Sequence, residues 1–530
     1  MTLCARWGGL LAGLAWVMQA HAALPQVGPV DVDFAGVDQV AQTYLSTYNM
    51  PGVSVVVAYR DRIIYAQGYG YADREQAIPT SPWLEYRLAS VSKPLTATAV
   101  MRLYEQGKVQ LDAPAWNYVA AFMGAEPKDP RVKQVTVRQL LTHSWGLDRA
   151  TAQDPMGSWY PDANGKPLTS SRDVLRHVLL GMTLSFNPGA RYAYNNTGFC
   201  WLQLIVETLD GRPLDTQLTA MLGPEPLSQG RVRIGEVNPT KVTLAEPTYY
   251  DKEGASLGPP VPGVYGAPAP ALVAAPYGGY TLQGYGGAGG LIASPFTVTR
   301  WLQRLIGLRP PALLQPATVA TMLTEQPLAD GTRYAGLGIE VIPAYQSDQS
   351  LTYTGSISGT RTAFIATPRA PGGPKLLVVA FINGSRAVPN NGVDNIGAEL
   401  LTPLVFAVDK VKGYGTKPEI TGERLIATPS ATDAYYSDLL FNWAQRTFSD
   451  LFPTNPPTQA TDGYLYRYYS SSGIYVGTKE GRVWLYIPSI NPAEIISKGA
   501  MVDHLPLAIQ ETDALKQGQR APSGPSQARR

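Results

Sequence analysis

Between Arg87 and Gly107 the chain reads Arg-Leu-Ala-Ser-Val-Ser-Lys-Pro-Leu-Thr-Ala-Thr-Ala-Val-Met-Arg-Leu-Tyr-Glu-Gln-Gly, and this stretch does most to restrict what the sequence can build. Val91, Leu95, Ala99 and Leu103 recur at the spacing of one helical face, Pro94 stands in the first turn, where it is tolerated, and Gly107 supplies a stop. A helix is therefore predicted to open with Ser90. Ser90 and Lys93 lie three residues apart, so amine and hydroxyl project to the same side. That is the layout of a Ser-Lys catalytic pair, because a serine hydroxyl needs a base to take its proton and a partly desolvated lysine can supply one. The competing reading makes Ser90 an N-cap and Lys93 a solvated first-turn residue, and so short a pattern arises easily by chance. No other serine in the chain is followed by lysine at the third position.

A length of 530 residues predicts two or more domains, and 45% hydrophobic with 16% charged residues supports a large core. The net charge of +2 gives no basic field, and no Lys/Arg run with interleaved aromatics is present, so nucleic acid is excluded as the expected partner. Residues 1–22 carry Arg6, an apolar run from Gly8 to Met18 and Ala20-His21-Ala22 as an A-x-A cleavage pattern. This predicts a signal peptide, and with it a periplasmic or secreted location. The run is shorter than the ~20 residues a membrane anchor needs. Cys4 leaves with the leader, so the mature chain keeps Cys200 alone, forms no internal disulfide and relies on its core. Cys200 reads as a small buried apolar residue.

In chain order, Phe34 to Asn49 is predicted as an amphipathic helix ended by Pro51-Gly52, and Val53 to Tyr59 with Ile63 to Gly70 as a hairpin. A helix, an antiparallel hairpin and the helix opening at Ser90 predict an α+β domain. Val135 to Gly146 reads as a short helix carrying His143. The mature chain's three histidines, His143, His177 and His504, lack an evident Ser-His-Asp context, and no G-x-S-x-G elbow occurs, so His143 is expected to be structural. Tyr194-Asn195-Asn196 precedes an apolar helix from Phe199 to Leu209; a tyrosine near a lysine can act as general base, and an asparagine two positions on can fix a carbonyl or the lysine. The alternative is an ordinary Asn- and Gly-rich turn. Residues 236–290 are dense in Gly, Pro, Ala and Tyr, a linker or an insertion over the site, and lack the G-K-[ST] of a phosphate loop. Phe296 to Leu308 is expected as a helix and Tyr334 to Ile342 as a strand. Leu351 to Ala366 and Lys375 to Asn383 are expected as two further strands, and Val393 to Val408 as a closing helix. The early hairpin and the late strands are expected to share one sheet.

Together these pieces resemble the serine β-lactamase and penicillin-binding-protein superfamily, in its class C branch, which includes β-lactamases, D-alanyl-D-alanine carboxypeptidases and family VIII-type esterases. The resemblance spans residues 34–408 and rests on Ala89-Ser-Val-Ser-Lys-Pro94, Gln110-Leu-Asp112, Thr136 to Leu147, Tyr194-Asn-Asn196, Gly286 to Leu291 and Tyr353-Thr-Gly355. It implies a β-lactamase/transpeptidase-like fold, an antiparallel sheet flanked by helices plus an all-helical subdomain. It implies Ser90 as acylated nucleophile, Lys93 and Tyr194 as the base pair, and Asn196 as a contact to substrate and lysine. Tyr353, Thr354 and Gly355 would line the site, and the backbone N–H groups of Ser90 and Ser356 would form the oxyanion hole. No cofactor or metal is required.

Two positions depart from the pattern. Tyr353 stands where relatives usually carry Lys or His, and a neutral phenol cannot pair with a substrate carboxylate as a cation does. This favours a neutral ester or small amide over a β-lactam or a D-Ala peptide, although Arg361 could restore a positive charge or point to solvent. Asn195 stands where Ser or Ala is usual and is expected to be tolerated. Beyond the domain, 409–432 is expected as a linker, 433–508 as a small α+β module with a helix from Tyr435 to Leu451 and three strands, and 509–530 as a disordered tail. The module's aromatic density suggests cell-wall contact or simply a core. The expected activity is that of an exported serine hydrolase; a β-lactamase, carboxypeptidase or penicillin-binding protein and a non-catalytic wall- or β-lactam-binding protein are the alternatives.

Overall fold

Unbroken apolar strands need cover on both faces, and the positions of those strands determine the architecture. The computed structural model describes residues 24–420 apart from 76–77, 83, 152–167, 224–230, 238–245, 252–259, 263–271, 332, 335, 343–349, 369–374 and 387–395, together with five strands between 458 and 500. The main strands are β1 (Gln26–Val27), β2 (Gly52–Tyr59), β3 (Arg62–Asp73), β4 (Ile78–Pro79), β5 (Glu340–Ile342), β6 (Ser350–Ile357), β7 (Thr360–Pro368) and β8 (Lys375–Ile382). They form one antiparallel sheet in the order β1-β3-β2-β8-β7-β6-β5, with β4 beside β3. The sheet thus joins both ends of the domain, as expected.

Seven helices matter for the site: α1 (Ala35–Thr47), α2 (Ser92–Glu105), α3 (Val137–Leu141), α4 (Ser171–Gly181), α5 (Thr197–Asp210), α6 (Pro295–Leu305) and α7 (Thr402–Asp409). Strand alternation divides them between two layers. Val53, Val55 and Val57 pack with Val37, Leu45 and Leu404 of α1 and α7, whereas Val56 and Ala58 join a larger cluster with Leu95, Phe199 and Trp301. On that larger side α5 packs against α2 and α4 as the helical part of the fold. Cys200 is buried within α5, as expected. No helix among the described residues is long and apolar enough to cross a membrane.

Three local expectations need correction. Leu351 to Ala366 is a hairpin rather than one strand, since Gly359 adopts φ 79° and turns β6 into β7. Tyr334 to Ile342 is not one strand: Arg333–Tyr334 pairs with Gln326–Pro327, and β5 begins only at Glu340, after Gly338 at φ 77°. The short helix within Val135 to Gly146 covers only Val137–Leu141, fixed by a capping box between Thr136 and Gln139. Residues 410–420, inside the stretch expected as a linker, lie against the domain: Lys417 pairs with Asp31 and Asp33, and Ile420 N donates to Ile63 O at 2.8 Å.

Farther on, β9 (Thr458–Gln459), β10 (Leu465–Tyr469), β11 (Ile474–Lys479), β12 (Arg482–Tyr486) and β13 (Ile495–Ala500) form a five-stranded antiparallel sheet. Three of these strands were expected. The leader, the predicted helix from Tyr435 to Leu451, His504 and the tail lie outside the described residues.

Candidate active site

Ser90 does not cap the helix. Residues Ala89–Val91 form a 3-10 turn, α2 begins at Ser92, and no side chain caps either element. Ala89 is buried at φ 46°, a left-handed conformation that costs an L-residue about 1–2 kcal/mol. The surroundings hold it there: Leu88 N donates to Leu291 O at 2.8 Å, Thr362 Oγ1 donates to Leu88 O at 2.6 Å, and Leu291 N donates to Ser92 Oγ at 3.1 Å. The strained turn leaves Ser90 half-buried at the start of α2.

Lys93, one turn on, is fully buried, and its Nζ donates to Ala288 O at 2.6 Å, Asn196 Oδ1 at 2.8 Å and Ser90 Oγ at 3.3 Å. Three acceptors match the three hydrogens of an ammonium group. Tyr194 Oη lies 2.7 Å from Ser90 Oγ, and Lys93 Nζ lies 4.7 Å from the Tyr194 ring centre. Ser90, Lys93, Tyr194 and Asn196, spread over more than a hundred residues, therefore converge at one place.

Their supports explain two sequence features. Asn195 Oδ1 accepts from Thr197 N at 2.8 Å and so makes the turn into α5, which is why an asparagine fits there. Fully buried His143 has its ring centre 4.5 Å from that of Tyr194 and 5.2 Å from that of Phe199, and its Nδ1 accepts from Asn195 N at 3.4 Å. Burial, then the positive charges of Lys93 and Arg149, holds its imidazole well below the usual histidine range. His143 is a neutral wedge behind the tyrosine.

The role of Ala288 was not legible in the sequence. Gly286–Gly290 forms a π-helical turn between α2 and α5, and its carbonyls bind α2: Ala288 O holds Lys93, and Gly287 O accepts from Thr96 Oγ1 at 2.8 Å. The glycine run was the available signal. Arg149 was also missed; its guanidinium carbon is 5.1 Å from the Tyr194 ring centre, at the exposed side of the site.

The other wall is the edge of β6. Strand β5 pairs only as far as Thr352, and beyond it β6 passes the nucleophile turn so closely that a Cβ on Gly355 would come within 2.5 Å of Leu88 O and 2.9 Å of Ser90 N. Ser356 follows, exposed, and Thr354 is half-buried. Tyr353 is only 2% exposed and belongs to the main apolar cluster. Arg361 lies in neither of its expected places. It is buried on the opposite face of the sheet, donating to Tyr44 Oη of α1 and paired with Glu399 at 3.3 Å, so it supplies no charge to the site. Among the described residues no cluster of three or more His, Cys, Asp or Glu has the geometry of a metal site.

The beta-lactamase family model matches residues 37–401 of the chain. Esterase EstB of Burkholderia gladioli is 30% identical over 346 residues, which is 62% of this chain and 83% of that protein. Among solved structures, an octameric penicillin-binding-protein homologue from Pyrococcus abyssi aligns over 88% of this chain and 90% of its own, with a TM-score of 0.52 and 19% identity. EstCE1, described as a hydrolase with promiscuous acyltransferase activity, aligns over 71% of this chain and 98% of its own, with a TM-score of 0.52 and 24% identity. At these identities the two structures speak for the fold.

Proposed function

The chain belongs to the beta-lactamase family of serine hydrolases, and from that membership and the geometry at Ser90 we propose an exported enzyme of the class C branch that cleaves carboxylic esters or small amides through an acyl-enzyme. The observation that carries the proposal is the 2.7 Å contact of Ser90 Oγ with Tyr194 Oη, beside Lys93 at 3.3 Å. Ser90 Oγ attacks the substrate carbonyl carbon while its proton passes to the Tyr194 phenolate, which becomes a neutral phenol. The Lys93 ammonium faces the tyrosine ring and stabilises the phenolate that this step consumes. The N–H groups of Ser90 and Ser356 receive the oxyanion; losing one such donor costs about 10²–10³ in rate. Collapse breaks the bond to the leaving group, which takes its proton back from Tyr194. Water, deprotonated by the Tyr194 phenolate, attacks the acyl carbon; the bond to Ser90 Oγ breaks, Ser90 takes the proton from Tyr194, and the acid leaves.

A neutral substrate is supported by Tyr353 at the position usually held by a cation, by the withdrawal of Arg361 to the far face, and by the esterase relative. Export rests on the leader at 1–22, and wall contact is assigned to the aromatic-rich module at 433–508.

The test compares the mature chain and Ser90→Ala on p-nitrophenyl butyrate and on a chromogenic cephalosporin. Steady ester turnover that vanishes in the variant supports the esterase reading. Turnover of the cephalosporin alone makes the protein a β-lactamase. Penicillin labelling of Ser90 without turnover makes it a slow-deacylating penicillin-binding protein, and absence of both leaves a binding role. Periplasmic fractionation with cleavage after Ala22 tests export.

A further inference from the structure

Arg87 sits three residues before the nucleophile, fully buried, and its side chain does not reach toward Ser90. It enters a cradle made by Glu236, Glu246, Tyr249, Pro276 and Tyr280. The guanidinium carbon lies 4.1 Å from the Tyr249 ring centre, Nη1 donates to Pro276 O at 2.6 Å and Tyr280 Oη at 2.9 Å, Nη2 donates to Glu236 O at 3.2 Å, and Nε faces Glu246 at 3.6 Å. The backbone joins in, since Arg87 N donates to Tyr249 Oη at 3.1 Å. Five donors of a rigid planar fork suit such a hub.

Tyr249, Tyr280 and their neighbours also grip the end of β6. Tyr280 Oη donates to Ser358 O at 3.1 Å, Ile357 packs on Val237, Tyr280 and Leu282, and Gly359 passes so close that a Cβ there would meet Tyr249 Cβ at 2.7 Å. Gly359 N also donates to Ser385 Oγ, which donates to Asp251 Oδ1. Ser356, the second oxyanion donor of the proposed reaction, is the residue just ahead of this gripped turn.

We propose that Arg87 and Tyr280 are positioning residues for the oxyanion hole: one guanidinium links the strand leading to Ser90 with the clamp on Ile357 to Gly359, and so sets the spacing of the two N–H donors. The inference rests on the acyl-enzyme reading. It explains why a cation is buried so near the nucleophile without touching it. A spacing error affects the developing oxyanion more than the ground-state carbonyl, so it lowers kcat and leaves KM nearly unchanged.

Tyr280→Phe is the deciding variant, because it deletes only the hydroxyl bridging Arg87 and Ser358. Arg87→Met takes the donor from Pro276 O, Tyr280 Oη and Glu236 O and can unfold the chain, so Arg87→Lys against Arg87→Met serves as the rescue pair. On p-nitrophenyl butyrate, Tyr280→Phe is expected to lower kcat about tenfold, a fraction of the loss of a whole donor, with KM within about twofold. Inhibition by phenylboronic acid, which forms a tetrahedral adduct with a serine and places a B–OH where the oxyanion forms, is expected to weaken by the same factor, with the melting temperature unchanged. Unchanged kcat and unchanged boronate affinity overturn the proposal, as does a change confined to KM. If the wild type shows no Ser90-dependent turnover, the functional reading fails by itself, and the boronate comparison still decides the positioning role.

Discussion

Gly287→Ala tests whether the turn behind Lys93 is part of the machinery. A Cβ at Gly287 would sit 2.8 Å from Phe199 O, 2.9 Å from Gln203 Cβ and 3.3 Å from Thr96 Cγ2, where ordinary contact begins at 3.4 Å. Phe199 O belongs to the backbone of α5 and cannot swing aside, so the turn itself must retreat by about 0.6 Å, the difference between 3.4 and 2.8 Å. The next residue is Ala288, whose carbonyl is 2.6 Å from Lys93 Nζ. A retreat of this size costs about 1–3 kcal/mol as overpacking. Misplacing a catalytic group by about 1 Å costs about 10² in rate, so kcat is expected to fall about 10- to 100-fold, with a melting temperature a few degrees lower. Gly286→Ala is the comparison: its close neighbours are Ile234 Cδ1 at 3.0 Å, which can adjust, and Gln203 Oε1 at 2.9 Å, which accepts from Gly287 N at 2.8 Å, so kcat should fall less than in Gly287→Ala, where backbone is met. The assay is ester turnover by both variants alongside their thermal melts. If Gly287→Ala melts lower yet turns over at the wild-type rate, the Ala288 carbonyl does not hold the lysine for catalysis.

Tyr194→Phe removes the hydroxyl 2.7 Å from Ser90 Oγ and should cut kcat by about 10²–10⁴ with the circular dichroism spectrum intact; a loss below tenfold would remove Tyr194 from the role of base. The folded protein resists protonation of His143, whose imidazole is held well below its usual range by burial and by Lys93, while the unfolded chain accepts the proton at about pH 6.5. Its contribution to stability is therefore whole above that pH and declines as pH falls below it. Thermal melts from pH 8 to 5 should show this decline, and His143→Leu should flatten part of it; half-buried His177, also lowered, contributes as well. Asp129 accepts from Arg131 and from Leu184 N at 3.0 Å, and the arginine brings its carboxyl down to about 2. Asp129→Asn should destabilise the fold by about 1–3 kcal/mol at neutral pH by disturbing those bonds. Because the carboxyl is depressed, the wild type's advantage is complete above about pH 4 and should vanish as acid approaches pH 2 in chemical-denaturation curves; a constant difference across that window contradicts the assignment.

The main strands and the nucleophile helix were legible because their signals are local. Val53 to Ala58 is apolar at every position but Ser54 because α1 and α7 cover one face and α6 the other, and the recurrence from Val91 to Leu103 marks a helix whatever packs on it. The pairing of Ser90 with Lys93 was equally local, being three residues of one turn. What lay hidden depends on contacts distant in sequence. The 3-10 turn with Ala89 at φ 46° exists because Leu291 and Thr362 hold Leu88 from two other segments, and nothing in the alanine itself indicates it. Ala288 acts through its carbonyl, which every residue has, so its identity carries no signal and only the flanking glycines do.

Arg361 shows the same limit at the level of charge, with a consequence for the substrate. Counting along β7 gives the alternation of faces but not which face meets the nucleophile, because the registry of Ser356 with Arg361 is set by the turn at Gly359. In the folded chain the guanidinium is committed to Tyr44 and Glu399, where it helps hold α1 and the segment before α7 against the sheet. Moving it to the site would leave Glu399 with Arg386 alone and strip Tyr44 of that donor. The charge is structural, and the wall next to Ser90 keeps the aromatic Tyr353 and the small residues Thr354, Gly355 and Ser356. A wall so composed offers its edge backbone amides to a neutral carbonyl but no cation to a carboxylate. The proposed preference for a neutral ester therefore rests on where two side chains lie, one kept inside the core and one across the sheet, and not on the identity of residue 353 alone.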